Sequence, residues 1–102
     1  MNPSQPDWLH VTPLHHLARK GDLDRAAQFI DHGADLDARD EDLGSTPLGW
    51  AAKYGQWPMV ELLLRRGAEP SLPDDPPWAT PLAWATRRGH HEIAELLAQR
   101  SD

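Results

Sequence analysis

The chain contains no cysteine, which excludes a disulfide framework and any zinc site built on thiolates. It has no long apolar run. The opening MNPSQPDW has none, and no other stretch approaches the roughly 18 apolar residues that mark a membrane span. Basic residues are in short supply, 10 Lys and Arg against 16 Asp and Glu, for a formal net charge of −6 and a pI near 5.4. Nucleic acids and anionic membranes select a basic footprint, so neither is an expected partner, and a cytoplasmic protein is the expectation these absences leave. Phenylalanine and tyrosine occur once each, against five tryptophans. A chain of 102 residues has room for one domain, and a globule this small is only moderately well buried.

Against these absences stands a repeat. Thr12-Pro13-Leu14, Thr46-Pro47-Leu48 and Thr80-Pro81-Leu82 recur with a period of 34 residues. Gly21, Gly55 and Gly89 keep the same beat, as do Gly33 and Gly67, with Ser101 at the third place. A fixed period of this size means one supersecondary unit copied in tandem, each copy touching its neighbours. Such an architecture supplies a surface more readily than a catalytic pocket.

The middle copy shows what the unit is. Thr46 is a good N-cap, and Pro47 follows at the first helical position, where a missing N–H costs nothing. Leu48, Ala51 and Ala52 recur at helical spacing until Gly55, which ends the helix. A second helix starts at about Pro58. Its apolar residues Met59, Val60, Leu62, Leu63 and Leu64 cover most of the circumference, as a helix packed between layers requires. Arg65 and Arg66 suit its C-terminal dipole, and Gly67 stops it. Runs of eight to ten residues fall below the roughly 12–15 at which isolated helices become marginal, so stability must come from neighbouring copies. Asp35 to Ser45 and Glu69 to Ala79, rich in Asp, Gly and Pro, read as extended turns.

These features resemble the ankyrin repeat, whose signature is T-P-L-H-x-A on a period of 33. Thr12-Pro13-Leu14-His15 carries the signature, and Gly33-Ala34-Asp35 and Gly67-Ala68-Glu69 carry the exit. The resemblance implies an all-α solenoid of three helix-turn-helix pairs with projecting hairpin-like loops. It covers residues 7–102, with repeats at about 7–39, 40–73 and 74–102, after a disordered tail at 1–6. It also implies protein binding through the loop tips and the concave face of the first helices. Three departures stand out. The period is one residue long, the excess falling in the loops, and Pro76-Pro77 forbids a regular hairpin ladder there. His15, which in the family can bond the capping threonine, gives way to Gly49 and Ala83, so the later copies forgo that contact. Gly49 should cost up to about 1 kcal/mol relative to alanine. Polar Arg25 and Gln28 at one end, and a chain stop after the last helix at the other, suggest a complete three-repeat domain.

Chemistry-bearing groups are sparse. His90, His91, Glu92 and Glu95 place an imidazole and a carboxylate at i, i+4, a spacing that can bind zinc, but they read more simply as a helix opening. His10, His15 and His16 are clustered, with His15 in its family role. Ser4, Ser45, Ser71 and Ser101 lie in loops or tails, none in a nucleophile elbow. Asp40-Glu41-Asp42 and Asp74-Asp75 read as solvated loop charge. No enzyme, cofactor or metal is expected.

The five tryptophans divide. Trp50 and Trp84 stand at equivalent places and read as stacking between copies, and Trp57 as core filler. Trp8 and Trp78, on loops before a capping threonine, are candidate interface anchors. The first helices end in Arg19-Lys20, Lys53-Tyr54 and Arg87-Arg88, so stacking aligns cations into one stripe beside acidic loops. Helix C-termini favour cations in any case. The expected function is a monomeric, non-catalytic protein-binding module. Arg19, Lys20, Lys53, Tyr54, Trp78, Arg87 and Arg88 would form its contact surface for a protein partner with an acidic segment. A self-associating scaffold is the alternative, and a metal-dependent enzyme a remote one.

Overall fold

A computed structural model describes residues 13–40, 44–72 and 75–100. The expected tail at 1–6, Trp8, His10, Thr12 and the acids Glu41, Asp42 and Asp74 lie outside them. Among the described residues six α-helices follow one another: α1 (Pro13–Lys20), α2 (Leu23–Asp31), α3 (Pro47–Lys53), α4 (Trp57–Arg65), α5 (Pro81–Arg87) and α6 (His91–Arg100), with a one-turn 3-10 helix at Pro77–Ala79 before α5. No strand occurs among the described residues. The chain is an all-α repeat solenoid. Helices α1, α3 and α5 pack in one row, α2, α4 and α6 in a second, and each pair closes on itself.

The starts of α3 and α5 repeat one device. The Thr46 hydroxyl accepts from Gly49 N–H at 3.2 Å, and the Thr80 hydroxyl from Ala83 N–H at 3.0 Å. These caps offset the unpaired donors of the first turn. Each exit also repeats. Gln56 N–H returns to the Ala51 carbonyl and His90 N–H to the Ala85 carbonyl, both at 2.9 Å. The second helices end likewise, Ala34 N–H on Phe29 and Ala68 N–H on Leu63 at 2.9 Å. This is the six-to-one closure of a Schellman turn, and it explains the recurring Gly-Ala.

The core runs through both rows. Leu14, Leu48, Met59, Val60, Leu63, Ile93 and Leu97 are buried, and Ala18, Ala51, Ala52 and Ala85 have no exposed surface between the first helices. Trp57 opens α4 one residue earlier than the sequence suggests and packs half-buried against this core. Arg25 and Gln28 are exposed as expected. The same end is not wholly polar, however: Phe29, equivalent to the fully buried Leu63, is 41% exposed.

The loops are built differently from the expectation of solvated charge. Asp40 is buried, and its Oδ1 accepts from both Ser45 N–H and the Trp50 indole N–H at 2.9 Å. The Asp75 carboxylate, with a side chain only 4% exposed, accepts from Leu72 N–H at 2.8 Å and from Arg39, 36 residues earlier, at 2.8 Å. Both acids are structural. A carboxylate that accepts two donors closes a loop in which prolines and glycines leave few backbone partners.

Ser45 is where three repeats meet. His15 Nε2 from the first repeat donates to the Ser45 carbonyl at 2.9 Å. The Trp84 indole of the third donates to the Ser45 hydroxyl at 2.9 Å, and that hydroxyl donates to the Ala79 carbonyl at 3.4 Å. The histidine contact therefore crosses between repeats. Later copies lack it but replace it: Trp50 and Trp84 reach the same loop through their indoles.

Gly49 follows from this crowding. A Cβ there would stand 3.1 Å from the Ser45 Cβ, and Ser45 is held from several sides. Propensity predicts that Gly49→Ala gains up to about 1 kcal/mol, whereas overpacking at a fixed neighbour costs about 1–3 kcal/mol. The second effect should win. Denaturant unfolding is expected to show Gly49→Ala less stable than the parent; a raised midpoint would contradict the packing account. A second test concerns the stack. Truncation after Ala79 removes α5 and α6 and uncovers Val60, Leu63 and Leu64. The remaining fragment should lose cooperative thermal unfolding or aggregate, and one that melts as sharply as the full chain would refute dependence on the third pair.

Candidate protein-binding surface

The first helices end in cations, and the row arranges those ends side by side. Tyr54 is the C-cap of α3 and Arg88 that of α5. The structure brings Arg19, Lys53, Tyr54 and Arg87 into one ladder. Arg19 lies over the Tyr54 ring at 5.1 Å and Lys53 at 5.4 Å. Lys53 also lies over the Trp84 ring at 4.6 Å, and Arg87 over it at 4.4 Å. Cations within about 6 Å of a ring centroid are attracted by its quadrupole, by about 0.5–1 kcal/mol at exposed sites. Lys20 and Arg88 sit at the margin, exposed and without a ring.

Trp84 was expected to be stacking material equivalent to Trp50, and the structure separates them. Trp50 is 8% exposed and buried beneath the row, edge-on to His15 at 5.8 Å and tilted against Tyr54 at 6.0 Å. Trp84 is half-buried, its indole tied to Ser45 and its face occupied by two cations. The signal in the sequence was the spacing Trp84-x-x-Arg87, one helical turn, together with Lys53 one repeat earlier. Trp78 is 52% exposed in the 3-10 turn. It joins the ladder by its backbone, the Arg87 guanidinium donating to its carbonyl.

Among the described residues no carboxylate neutralises the stripe. The ion pairs among the described residues are Arg25–Asp22, Arg39–Asp75, Arg65–Glu61 and Arg66–Asp31. None uses Arg19, Lys20, Lys53, Arg87 or Arg88. Three described loop acids are occupied elsewhere: Asp40 and Asp75 as above, and Asp35 accepting from Asp37 N–H at 2.9 Å.

The position of the helix ends is set from the next repeat. The Gln56 amide donates to the Arg19 carbonyl at 2.9 Å, and His90 Nε2 donates to the Lys53 carbonyl at 3.2 Å. Both carbonyls are late in their helices and lack intrahelical donors. Gly21 and Gly55 make the approach possible. Their φ of 76° and 71° lies in the left-handed region, and a Cβ would meet Gln56 Oε1 at 2.5 Å or His90 Cε1 at 2.7 Å. His90, a candidate ligand by sequence, is thus an inter-repeat strut; no group of three metal-ligating side chains gathers among the described residues.

A family model described as ankyrin repeats in three copies matches residues 2–74, and a second, for the single ankyrin repeat, matches residues 78–102. The chain belongs to the ankyrin-repeat family. No curated protein matches it. Ankyrin repeats generally serve as protein–protein interaction modules and are typically not enzymes. In this ankyrin chain no described helix is long and apolar enough to cross a membrane.

His15 carries the one titration that the ankyrin stack perturbs among the described residues. Burial pushes its pKa below the usual 6.5, against the opposing pull of the Ser45 carbonyl and the Asp40 charge. The neutral ring is the form the stack requires. A depressed folded pKa means that stability is fully present above the unfolded pKa and is lost as pH falls from about 6.5 toward the folded value. Chemical denaturation at about pH 7.5 and about pH 5 should show a larger loss for the parent than for His15→Gln, which keeps a donor but cannot titrate. Equal losses would show that His15 does not titrate in this window.

Proposed function

We propose that this ankyrin domain, a single unit spanning residues 7–102, is a monomeric, cytoplasmic, non-catalytic module that binds a protein partner through that partner's acidic segment. Arg19, Lys20, Lys53, Tyr54, Trp78, Arg87 and Arg88 form the contact surface. The observation that carries the reading is the lack of internal neutralisation: five of the ten cations gather on the first-helix row, in a chain of net charge −6, and none has a carboxylate partner among the described residues. Unpaired, ring-supported cations are ready to accept a partner's carboxylates. Arg and Tyr are also enriched where interfaces carry most of their energy. The exposed Phe29 favours self-association as a second reading, which a mass measurement on dilution distinguishes.

A fluorescent polyglutamate peptide, with a polylysine peptide as control, tests the proposal. The glutamate peptide should bind and weaken with added salt, because exposed charges are screened over about 8 Å at physiological ionic strength. Reversal at Arg87 or Arg88 to Glu should mainly slow association, several-fold, whereas Tyr54→Ala and Trp78→Ala should mainly speed dissociation. Affinities within about twofold of the parent for every variant would leave the stripe as helix-end electrostatics alone.

A further inference from the structure

The second-helix row carries two grooves that are copies of one another. The groove between α2 and α4 is lined by Leu23, Pro58, Glu61, Leu62 and Arg65, among others. The groove between α4 and α6 is lined by Trp57, Glu92, Glu95, Leu96 and Gln99. Each member of the second set stands 34 residues after its counterpart: Trp57 after Leu23, Glu92 after Pro58, Glu95 after Glu61, Leu96 after Leu62 and Gln99 after Arg65. The chain thus holds the same groove twice, with different side chains.

In the first groove the acid is satisfied from within. Glu61 pairs with Arg65, one turn further along α4, at 3.3 Å. In the second groove that arginine has become Gln99, and Glu95 enters no ion pair among the described residues. A further carboxylate, Glu92, replaces Pro58 and is likewise without an ion pair there. The N-terminal dipole of α6 favours Glu92 in the first turn. Glu95, three positions on, has no such support and is repelled by Glu92. The aliphatic Leu23 gives way to the indole of the half-buried Trp57, and the cavity grows from about 300 Å³ to about 470 Å³. One cation is lost, while an acid, an aromatic ring and space are gained.

We infer that the α4–α6 groove is a second binding site, which takes an arginine side chain from a protein partner. The guanidinium fills on Glu95 and Glu92 the role that Arg65 fills on Glu61. Charge complementarity requires a cation, and two observations make it arginine. The sibling groove already uses a guanidinium on the equivalent acid, and a planar cation both forks onto carboxylates and stacks on an indole. Leu96 offers apolar surface to the alkyl stem. The site lies on the second-helix row, apart from the cation stripe at the first-helix ends, and does not rest on the proposed use of that stripe.

Fluorescent peptides of four Gly-Arg, Gly-Lys or Gly-citrulline units, titrated with the full chain, test the site. The arginine peptide should bind about threefold or more tighter than the lysine peptide, and the uncharged citrulline peptide should not bind. Gln99→Arg, which restores the internal cation of the sibling groove, and Glu95→Gln should each weaken arginine binding about fivefold or more. Glu69→Gln makes a net-charge change of the same size at an exposed residue outside the groove, and should leave binding within about twofold. Trp57→Leu, the residue the sibling groove carries, should erase the preference for arginine over lysine. Equal losses in Glu69→Gln and Gln99→Arg would reduce the effect to net charge and overturn the inference, as would equal binding of the arginine and lysine peptides by the parent. A mass of the free chain that rises with concentration, and no longer does so in Gln99→Arg, would make a second copy the occupant and overturn the partner reading.

Discussion

Helices of seven to ten residues cannot hold themselves together, so everything in this protein depends on how one repeat grips the next. The grip is most concentrated at Ser45. Its carbonyl takes the His15 ring of the first repeat, its N–H is fixed by Asp40, and its hydroxyl takes the Trp84 indole of the third. One small residue thus ties three helix pairs. The first two of these bonds are buried and the third partly so, and a buried donor or acceptor left unpaired costs about 1–3 kcal/mol. That penalty makes the register of the stack specific, while the alanines between α1, α3 and α5 supply only close approach.

The same economy explains how an acidic protein presents a basic face. The loop carboxylates that look solvated are consumed in construction: Asp40 and Asp75 accept from backbone N–H groups, and Asp75 also holds Arg39. The outer helices join by Asp31 and Arg66. Among the described residues, the cations at the first-helix ends are left without a carboxylate. There the rings of Tyr54 and Trp84 support the positive charge without neutralising it.

The helix ends hold their places because the following repeat reaches back to them. Gln56 and His90, 34 residues apart, each donate to a carbonyl at the end of the preceding first helix. Side-chain amide and imidazole are chemically different, yet each presents an N–H at the reach the site needs. The same struts that close the helix ends therefore set the separation of the cations above them.

Repeat number, helix order and helix type were legible in the amino-acid sequence. Caps and stops act over three to five residues, so Thr46-Pro47 and the glycines declare them locally, and an exact period copies the message. Alignment of the cations was legible for the same reason, since equal positions in stacked copies must lie in a row. What only the tertiary structure decided was which side chains meet, from Gly49 and Ser45, 4 residues apart, to Trp84 and Lys53, 31 apart. Asp40 looks like a solvated acid until the Trp50 indole is brought to it. Gly49 looks like a weak helix residue until Ser45 stands 3.1 Å from its missing Cβ. Trp84 looks like core until Lys53 and Arg87 are placed over its face. A side chain's local preferences are written in its neighbours along the chain, but its burial, partners and charge environment come from segments that only packing brings near.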